Sequence, residues 1–287
     1  MVELQPSKLA TWVRFPSPAP KPISMSSPNS ALSSGQGPST VERGSLLRPA
    51  ERRYDRPFFS GMAVVILASV FVGFARSYFL AGVFKARLPS ALIHLHGAAF
   101  SCWILLLIAQ TSLVAAGKVA WHRRLGVLGF GLAGAMVILG MLASLQVLAR
   151  PPALGESPRG PRAFLAVPLS DMLVFSTLVY FGFRERKNPA AHKRLLLIAT
   201  IALLDAAFVR WPVSSEWWTL KVAQTCCYPL LLLIVAYDLW SARTIYRATI
   251  LASAFLVFAQ QVRAPIGRSR PWQNFAASVQ QLARAWR

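Results

Sequence analysis

Five ionisable side chains lie inside or at the edge of long apolar segments, where charged groups are costly and usually functional. They are His94, His96, Asp171, Asp205 and Arg76. At a helical rise of about 1.5 Å per residue, His96 lies about 8 Å, Asp171 about 12 Å and Asp205 about 6 Å from one end of its segment, on the outer side of the membrane. Imidazole and carboxylate groups at similar depth bind divalent metals or relay protons. The spacing therefore predicts a metal or proton site, as in a membrane enzyme or transporter.

Two further histidines, His122 and His192, lie at the start of two other apolar segments, and two basic residues follow each of them. Alternating spans place both histidines at the inner face of the membrane. Two imidazoles on neighbouring helices can be the axial ligands of a b-type haem, whose propionates would pair with the adjacent Arg and Lys side chains. This pattern predicts a haem-binding electron carrier as an alternative function.

A simpler interpretation is that the polar intramembrane residues stabilise the protein or bind a small ligand without catalysis. In that case we expect Arg76 to neutralise one aspartate, and Arg243 to pair with Asp238 at the inner face. The sequence has no Gly-x-Ser-x-Gly, no His-Glu-x-x-His and no phosphate-binding glycine loop, so these enzyme classes have no support. The residues leave the three functional interpretations open.

Long uncharged apolar segments must position these groups. The chain has a mean hydropathy of +0.46, and only 14% of its residues are charged, against roughly 25% in a soluble domain. About 20 apolar residues in a helix cross the hydrocarbon core of a bilayer. The sequence therefore predicts an all-α, polytopic transmembrane bundle over residues 56–265, with six to seven spans. The predicted spans are residues 58–80, 91–116, 125–149, 163–183, 195–209, 222–240 and 248–262, and we expect the fifth helix to begin earlier, near Ala190.

The two ends of the chain differ from this bundle in composition. Residues 1–55 are rich in Pro, Ser and Gly, which predicts a disordered N-terminal arm. Residues 266–287 combine apolar residues at helical spacing with flanking arginines, which predicts an amphipathic helix at the membrane interface. The apolar stripe consists of Trp272, Phe275, Ala276, Val279, Leu282 and Trp286.

The formal net charge of +21 would suggest nucleic acid as the partner of a soluble protein. Here the basic residues lie mainly between the spans and at both ends, so we expect the lipid bilayer as the partner and no nucleic acid. With the N-terminus in the cytoplasm, the inner segments carry about twice as many Lys and Arg residues as the outer loops. The sequence therefore predicts a multi-pass protein of the inner (plasma) membrane with a cytoplasmic N-terminus.

Three sequence blocks recur in a familiar order: His96-Gly97 with Trp103, His122-Arg123-Arg124-Leu125-Gly126, and Ala191-His192-Lys193-Arg194-Leu195 with Asp205. Over residues 58–286 the chain resembles a group of bacterial multi-pass inner-membrane proteins to which no activity is assigned. The resemblance implies a helical bundle in a bacterial inner membrane. The scattered histidines give a looser resemblance to b561-type cytochromes. The chain departs from the group at Tyr246, where a histidine is common, so no third histidine is expected at the inner face.

Overall fold

Helices form every regular element in the part of the chain that the computed structural model describes, which is residues 49–85, 90–150, 159–213 and 220–285. The predicted all-α fold is confirmed. A π-helical turn, Ala75–Phe79, follows the first helix. The helices are α1 Pro49–Phe74, α2 Ala91–Ala115, α3 Val119–Leu148, α4 Arg159–Phe164, α5 Ala166–Arg184, α6 Pro189–Ile201, α7 Asp205–Phe208, α8 Leu220–Thr225, α9 Cys227–Ala242, α10 Arg247–Arg268 and α11 Arg270–Ala285.

Six helical stretches within the described residues are long and apolar enough to cross a membrane, so this is a multi-pass membrane protein. Two of them join short helices, α4 to α5 and α8 to α9. The last predicted span, residues 248–262, is longer than expected, because α10 runs for 22 residues. The six stretches are Tyr54–Phe79, Ala91–Ala115, Val119–Leu148, Gly160–Arg184, Ala223–Ala242 and Arg247–Arg268.

The predicted span at residues 195–209 is wrong as a continuous helix. Helix α6 begins earlier, at Pro189, with Asn188 as its N-cap, and it ends at Ile201. The amides of Leu203 and Leu204 then bond to carbonyls three residues back, which tightens the chain into a 3₁₀-like turn before α7. We call this element the broken helix α6–α7.

The broken helix α6–α7 lies in the middle of the bundle. Most side chains from Ala190 to Ala202 are buried, as expected of a helix that other helices surround on all sides. Lys193, near its start, contacts Asp55 of α1, whereas Asp205, in its second part, contacts α10 near its last turns. The element therefore runs between two ends of the bundle, which we call the α1 end and the α11 end.

Helix α11 packs against α3 and α4 at the end of the bundle where α10 ends. The Trp272 indole donates to the Arg162 carbonyl at 2.9 Å, and the Gln280 amide donates to the Leu148 carbonyl at 2.8 Å. Phe275 and Leu282 of the predicted apolar stripe are exposed. The interfacial location of this helix stays a prediction, and Trp286 lies outside the described residues, as do residues 1–48 of the predicted N-terminal arm.

A glycine sets the contact between α1 and the broken helix α6–α7. A Cβ atom on Gly73 would meet the Ala207 backbone, with its carbonyl carbon at 2.8 Å and its Cα at 2.9 Å. Backbone atoms cannot move aside as the end of a flexible side chain does. We expect Gly73→Ala to lower the stability of the folded protein by about 1–3 kcal/mol, measured as thermal unfolding in detergent.

Gly61 is the matched control, because it lies in the same helix and a Cβ atom there would have no neighbour within 4 Å. Gly61→Ala should leave stability unchanged or raise it slightly, since alanine favours a helix interior over glycine. Equal stability of the two variants would contradict the close packing of α1 on α7.

Candidate functional site

A single arginine joins two aspartates inside the bundle. Arg263 of α10 donates through Nη1 to Asp171 Oδ1 of α5 at 2.6 Å, and through Nη2 to Asp205 Oδ2 of α7 at 2.5 Å. The side chains of Arg263 and Asp205 are each only 2% exposed. We call Asp171, Asp205 and Arg263 the aspartate–arginine cluster. It ties α5, α7 and α10 together close to the α11 end.

The two aspartates have unequal surroundings. Asp205 also accepts hydrogen bonds from Gln260 Nε2, at 3.1 Å to each carboxylate oxygen, and from the Cys227 thiol at 3.1 Å. Asp171 accepts one hydrogen bond within the described residues, and its side chain is 17% exposed. Donors stabilise a carboxylate in its charged form. Asp205 has the larger set of hydrogen-bond donors.

The guanidinium of Arg263 has a further neutral partner. With its amide oxygen turned toward Arg263, Gln224 accepts hydrogen bonds from Nε at 3.2 Å and from Nη2. Gln224 and Gln260 bring no charge, so the cluster contains two carboxylates and one guanidinium. Buried polar groups need partners to offset the loss of water, and here amide and thiol groups supply them.

The structure brings Asp171 and Asp205 together, as the predicted metal or proton site required, but it does not link the histidines to them. The His96 ring packs on Phe100, with ring centroids 4.4 Å apart, and no described residue bonds its buried Nδ1. The His94 ring lies beside Tyr78, whose hydroxyl donates to the His94 carbonyl. Among the described residues, no three His, Cys, Asp or Glu side chains lie close enough to hold a metal ion.

Arg263 is the residue that sequence analysis missed. The expectation that Arg76 neutralises an aspartate is wrong, because Arg76 is exposed and lies over the Phe84 ring, 5.4 Å from its centre. The last predicted span stopped one residue before Arg263. A usable signal was present, because Gln260 and Arg263 are polar residues three apart in an apolar segment, and such residues share one helix face.

The two histidines of the predicted haem site lie together at the α1 end. Their rings, from α3 and α6, have centroids 6.3 Å apart and planes at 90°. The His192 Nδ1–H donates to the Gly182 carbonyl oxygen of α5 at 2.7 Å. The prediction that His122 and His192 are neighbours on different helices therefore agrees with the geometry, whereas the haem itself stays a prediction.

A second buried ion pair lies at the α1 end of the broken helix. Arg194 donates to Asp238 at 2.5 Å, and both side chains are completely buried. Thr249 donates to the same carboxylate at 2.6 Å, and the Tyr246 ring stacks on the guanidinium, 3.8 Å away. The expectation that Arg243 pairs with Asp238 is wrong, because Arg243 is exposed at the end of α9. The partner of Asp238 comes from α6 instead.

The fold thus defines the class of the protein as a multi-pass, α-helical membrane protein. No protein-family model, no curated protein and no solved structure matches the chain. The resemblance to bacterial inner-membrane proteins and to b561-type cytochromes therefore stays a prediction. The function has to be argued from the geometry of the sites.

Removal of Arg263 should destabilise the protein strongly, because the buried carboxylate of Asp205 and the partly buried carboxylate of Asp171 would be left without a counter-charge. We expect Arg263→Gln to cost about 3–5 kcal/mol of folding free energy, measured as thermal or denaturant unfolding in detergent. Arg268→Gln is the matched control, since Arg268 is an exposed residue of the same helix.

A second substitution separates charge from packing. In the double variant Arg263→Gln/Asp171→Asn, one of the two facing carboxylates is gone, so part of the lost stability should return. If the double variant is as unstable as Arg263→Gln alone, repulsion between the carboxylates does not cause the loss.

Proposed function

We propose that this protein is a proton-coupled membrane transporter in which Asp171 and Asp205 bind one proton next to Arg263. The observation that carries the proposal is that the buried carboxylate of Asp205 and the partly buried carboxylate of Asp171 share one guanidinium. With both carboxylates charged, the aspartate–arginine cluster has a formal charge of −1. An uncompensated charge in an apolar interior costs several kcal/mol, and uptake of one proton removes it.

Asp171 is the residue that we assign to the proton. It accepts a single hydrogen bond among the described residues, whereas four donor contacts hold Asp205. Asp171 also keeps some exposure, so a proton can reach it. Carboxylates that share a site do not both ionise freely, and the one with the weaker set of donors is protonated first.

The broken helix provides the part that can move. Interrupted helices at membrane depth are typical of ion and substrate sites in transporters, where unwound backbone lines the site. Here Asp205 begins the second part of such an element, directly after the turn at residues 202–204. Movement of α7 against α5 and α10 would change the contacts of the bound proton.

Protonation of Asp171 removes the attraction between this side chain and Arg263. The guanidinium then pairs only with Asp205, so α10 stays attached to α7 while its tie to α5 weakens. At the other end, the Arg194–Asp238 pair has equal and opposite charges, which makes it an anchor. We propose that this difference lets the α11 end open while the α1 end stays closed.

We also propose the orientation that the basic residues indicate. With the N-terminus of α1 in the cytoplasm of a bacterial cell, the aspartate–arginine cluster lies in the outer half of the inner membrane. Protons would then enter from the outside. The lipid bilayer is the surrounding solvent for the apolar outer faces of the helices.

Hydrogen–deuterium exchange in nanodiscs tests this proposal. The exchange of α5 and of the last turns of α10 is measured in mildly alkaline and mildly acidic buffer, after correction for the intrinsic effect of pH. In the native protein we expect faster exchange of these segments at acidic pH, because α5 is released from α10. Asp171→Asn should exchange fast at both pH values.

The matched control is Asp55→Asn, which removes an aspartate of the α1 end that pairs with Lys193. This variant should keep the pH dependence of exchange in α5 and α10. Two results would mean that the cluster is a permanent structural ion pair. One is exchange in these segments of the native protein that does not change with pH, and the other is a pH dependence that remains in Asp171→Asn.

A further inference from the structure

We infer that His122, His192 and Gln110 bind one transition-metal ion at the α1 end, far from the aspartate–arginine cluster. We call these three residues the histidine site. They come from three different elements, since Gln110 lies in α2, His122 in α3 and His192 in α6. The inference does not depend on the proposed transport function, because the two sites share no residue.

The hydrogen bond of His192 fixes which of its nitrogens can bind a metal. A carbonyl oxygen can only accept, so Nδ1 carries the proton that it donates to Gly182. In the neutral ring, Nε2 then has a free lone pair. A metal-ligating histidine almost always donates its other ring N–H to a carbonyl, a carboxylate or water, and His192 has this arrangement.

The other two residues each hold a buried polar atom without a partner. Neither Nδ1 of His122 nor Oε1 of Gln110 finds a hydrogen-bond partner among the described residues. Each unpartnered buried atom costs about 1–3 kcal/mol. Two such atoms beside one histidine pair are an unusual concentration, because buried polar groups normally have partners. A bound group that accepts lone pairs would satisfy both.

Gln110 lies beside His122. The His122 imidazole is within hydrogen-bonding reach of the Gln110 backbone. The amide nitrogen of Gln110 is 3.5 Å from the position that a Cβ atom would take on Gly126. Gly126 follows His122 by four residues, so both lie on the same face of α3. The Gln110 side chain therefore lies along α3, about one turn from the His122 ring.

The ring spacing suits one metal ion. Imidazole nitrogens bind zinc, copper, nickel and iron, at about 2.0–2.1 Å for zinc. Two rings that bind the same ion at this distance have centroids roughly 6.5 Å apart when the ion lies on the line between the two nitrogens, and closer centroids at smaller angles. The observed 6.3 Å therefore fits an ion that lies nearly on that line. The Gln110 carbonyl oxygen would be a third ligand or would accept a hydrogen bond from a water on the metal.

Two imidazoles can ligate either a hydrated metal ion or the iron of a b-type haem. Arg123 and Arg124 follow His122 and are exposed, so they would pair with haem propionates or with anions near a hydrated ion. The basic residues after His192 already have partners, because Lys193 contacts Asp55 and Arg194 contacts Asp238. The experiment has to distinguish these two sources.

The test uses the full chain, purified in detergent without a metal-affinity tag. Metal analysis and the absorption spectrum of the oxidised and dithionite-reduced protein come first. A Soret band with sharp reduced bands identifies haem, whereas metal without that spectrum identifies a bound ion. Protein stripped with a chelator is then titrated with Cu²⁺ alone, followed by electron paramagnetic resonance.

We expect one metal per chain with nitrogen ligands, and a loss of affinity of at least tenfold in His122→Ala and in His192→Ala. Gln110→Leu should weaken metal binding by a smaller factor. We expect this variant to fold, so it tests the site even if a histidine variant does not fold. His94→Ala is the matched control, because this histidine lies on α2 beside Tyr78. Asp171→Asn should also bind normally, which separates this site from the proposed proton site.

Two results would overturn the inference. One is native protein that contains no metal or haem and does not bind Cu²⁺ through nitrogen ligands. The other is Cu²⁺ binding that the double variant His122→Ala/His192→Ala retains unchanged.

Discussion

The cost of burying charge governs the centre of this protein. The broken helix α6–α7 is enclosed by its neighbours, yet it carries Arg194 and Asp205, both almost completely inaccessible. Each charge needs an opposite charge and hydrogen bonds, because neither water nor lipid can supply them there. Asp238 is the opposite charge for Arg194, and Arg263 is the opposite charge for Asp205. The positions of α9 and α10 against the central element follow from these two pairings as well as from apolar packing.

The two pairings are not equivalent, and the proposed function depends on the difference. Arg194 and Asp238 cancel, and Thr249 completes the carboxylate contacts. Arg263 faces two carboxylates, so one negative charge is left over at the α11 end. A bundle that only needed stability would be served by a balanced pair at both ends. The extra carboxylate, Asp171, is what gives this end a titratable charge, and it joins α5 to α7 and α10.

The sequence predicted the apolar helices well because their signal is local: a run of apolar residues long enough to cross a bilayer. It failed at α6–α7, where a turn at residues 202–204 interrupts the predicted continuous span, although the expected start near Ala190 agrees with α6. It singled out Asp171 and Asp205, and His122 and His192, by residue type and depth, and the members of each pair lie close together in the structure. It missed Arg263 because ion pairing depends on which helices are neighbours. The residues of one helix do not show which other helices it contacts.

The central claim is that Asp171 takes up a proton, and infrared difference spectroscopy of the protein in nanodiscs measures this directly. On a change from mildly alkaline to mildly acidic buffer, the account predicts a new C=O band of a protonated carboxylic acid. This band should disappear in Asp171→Asn and remain in Asp55→Asn. Absence of an acid band in the native protein, or a band that Asp171→Asn leaves unchanged, would contradict the account.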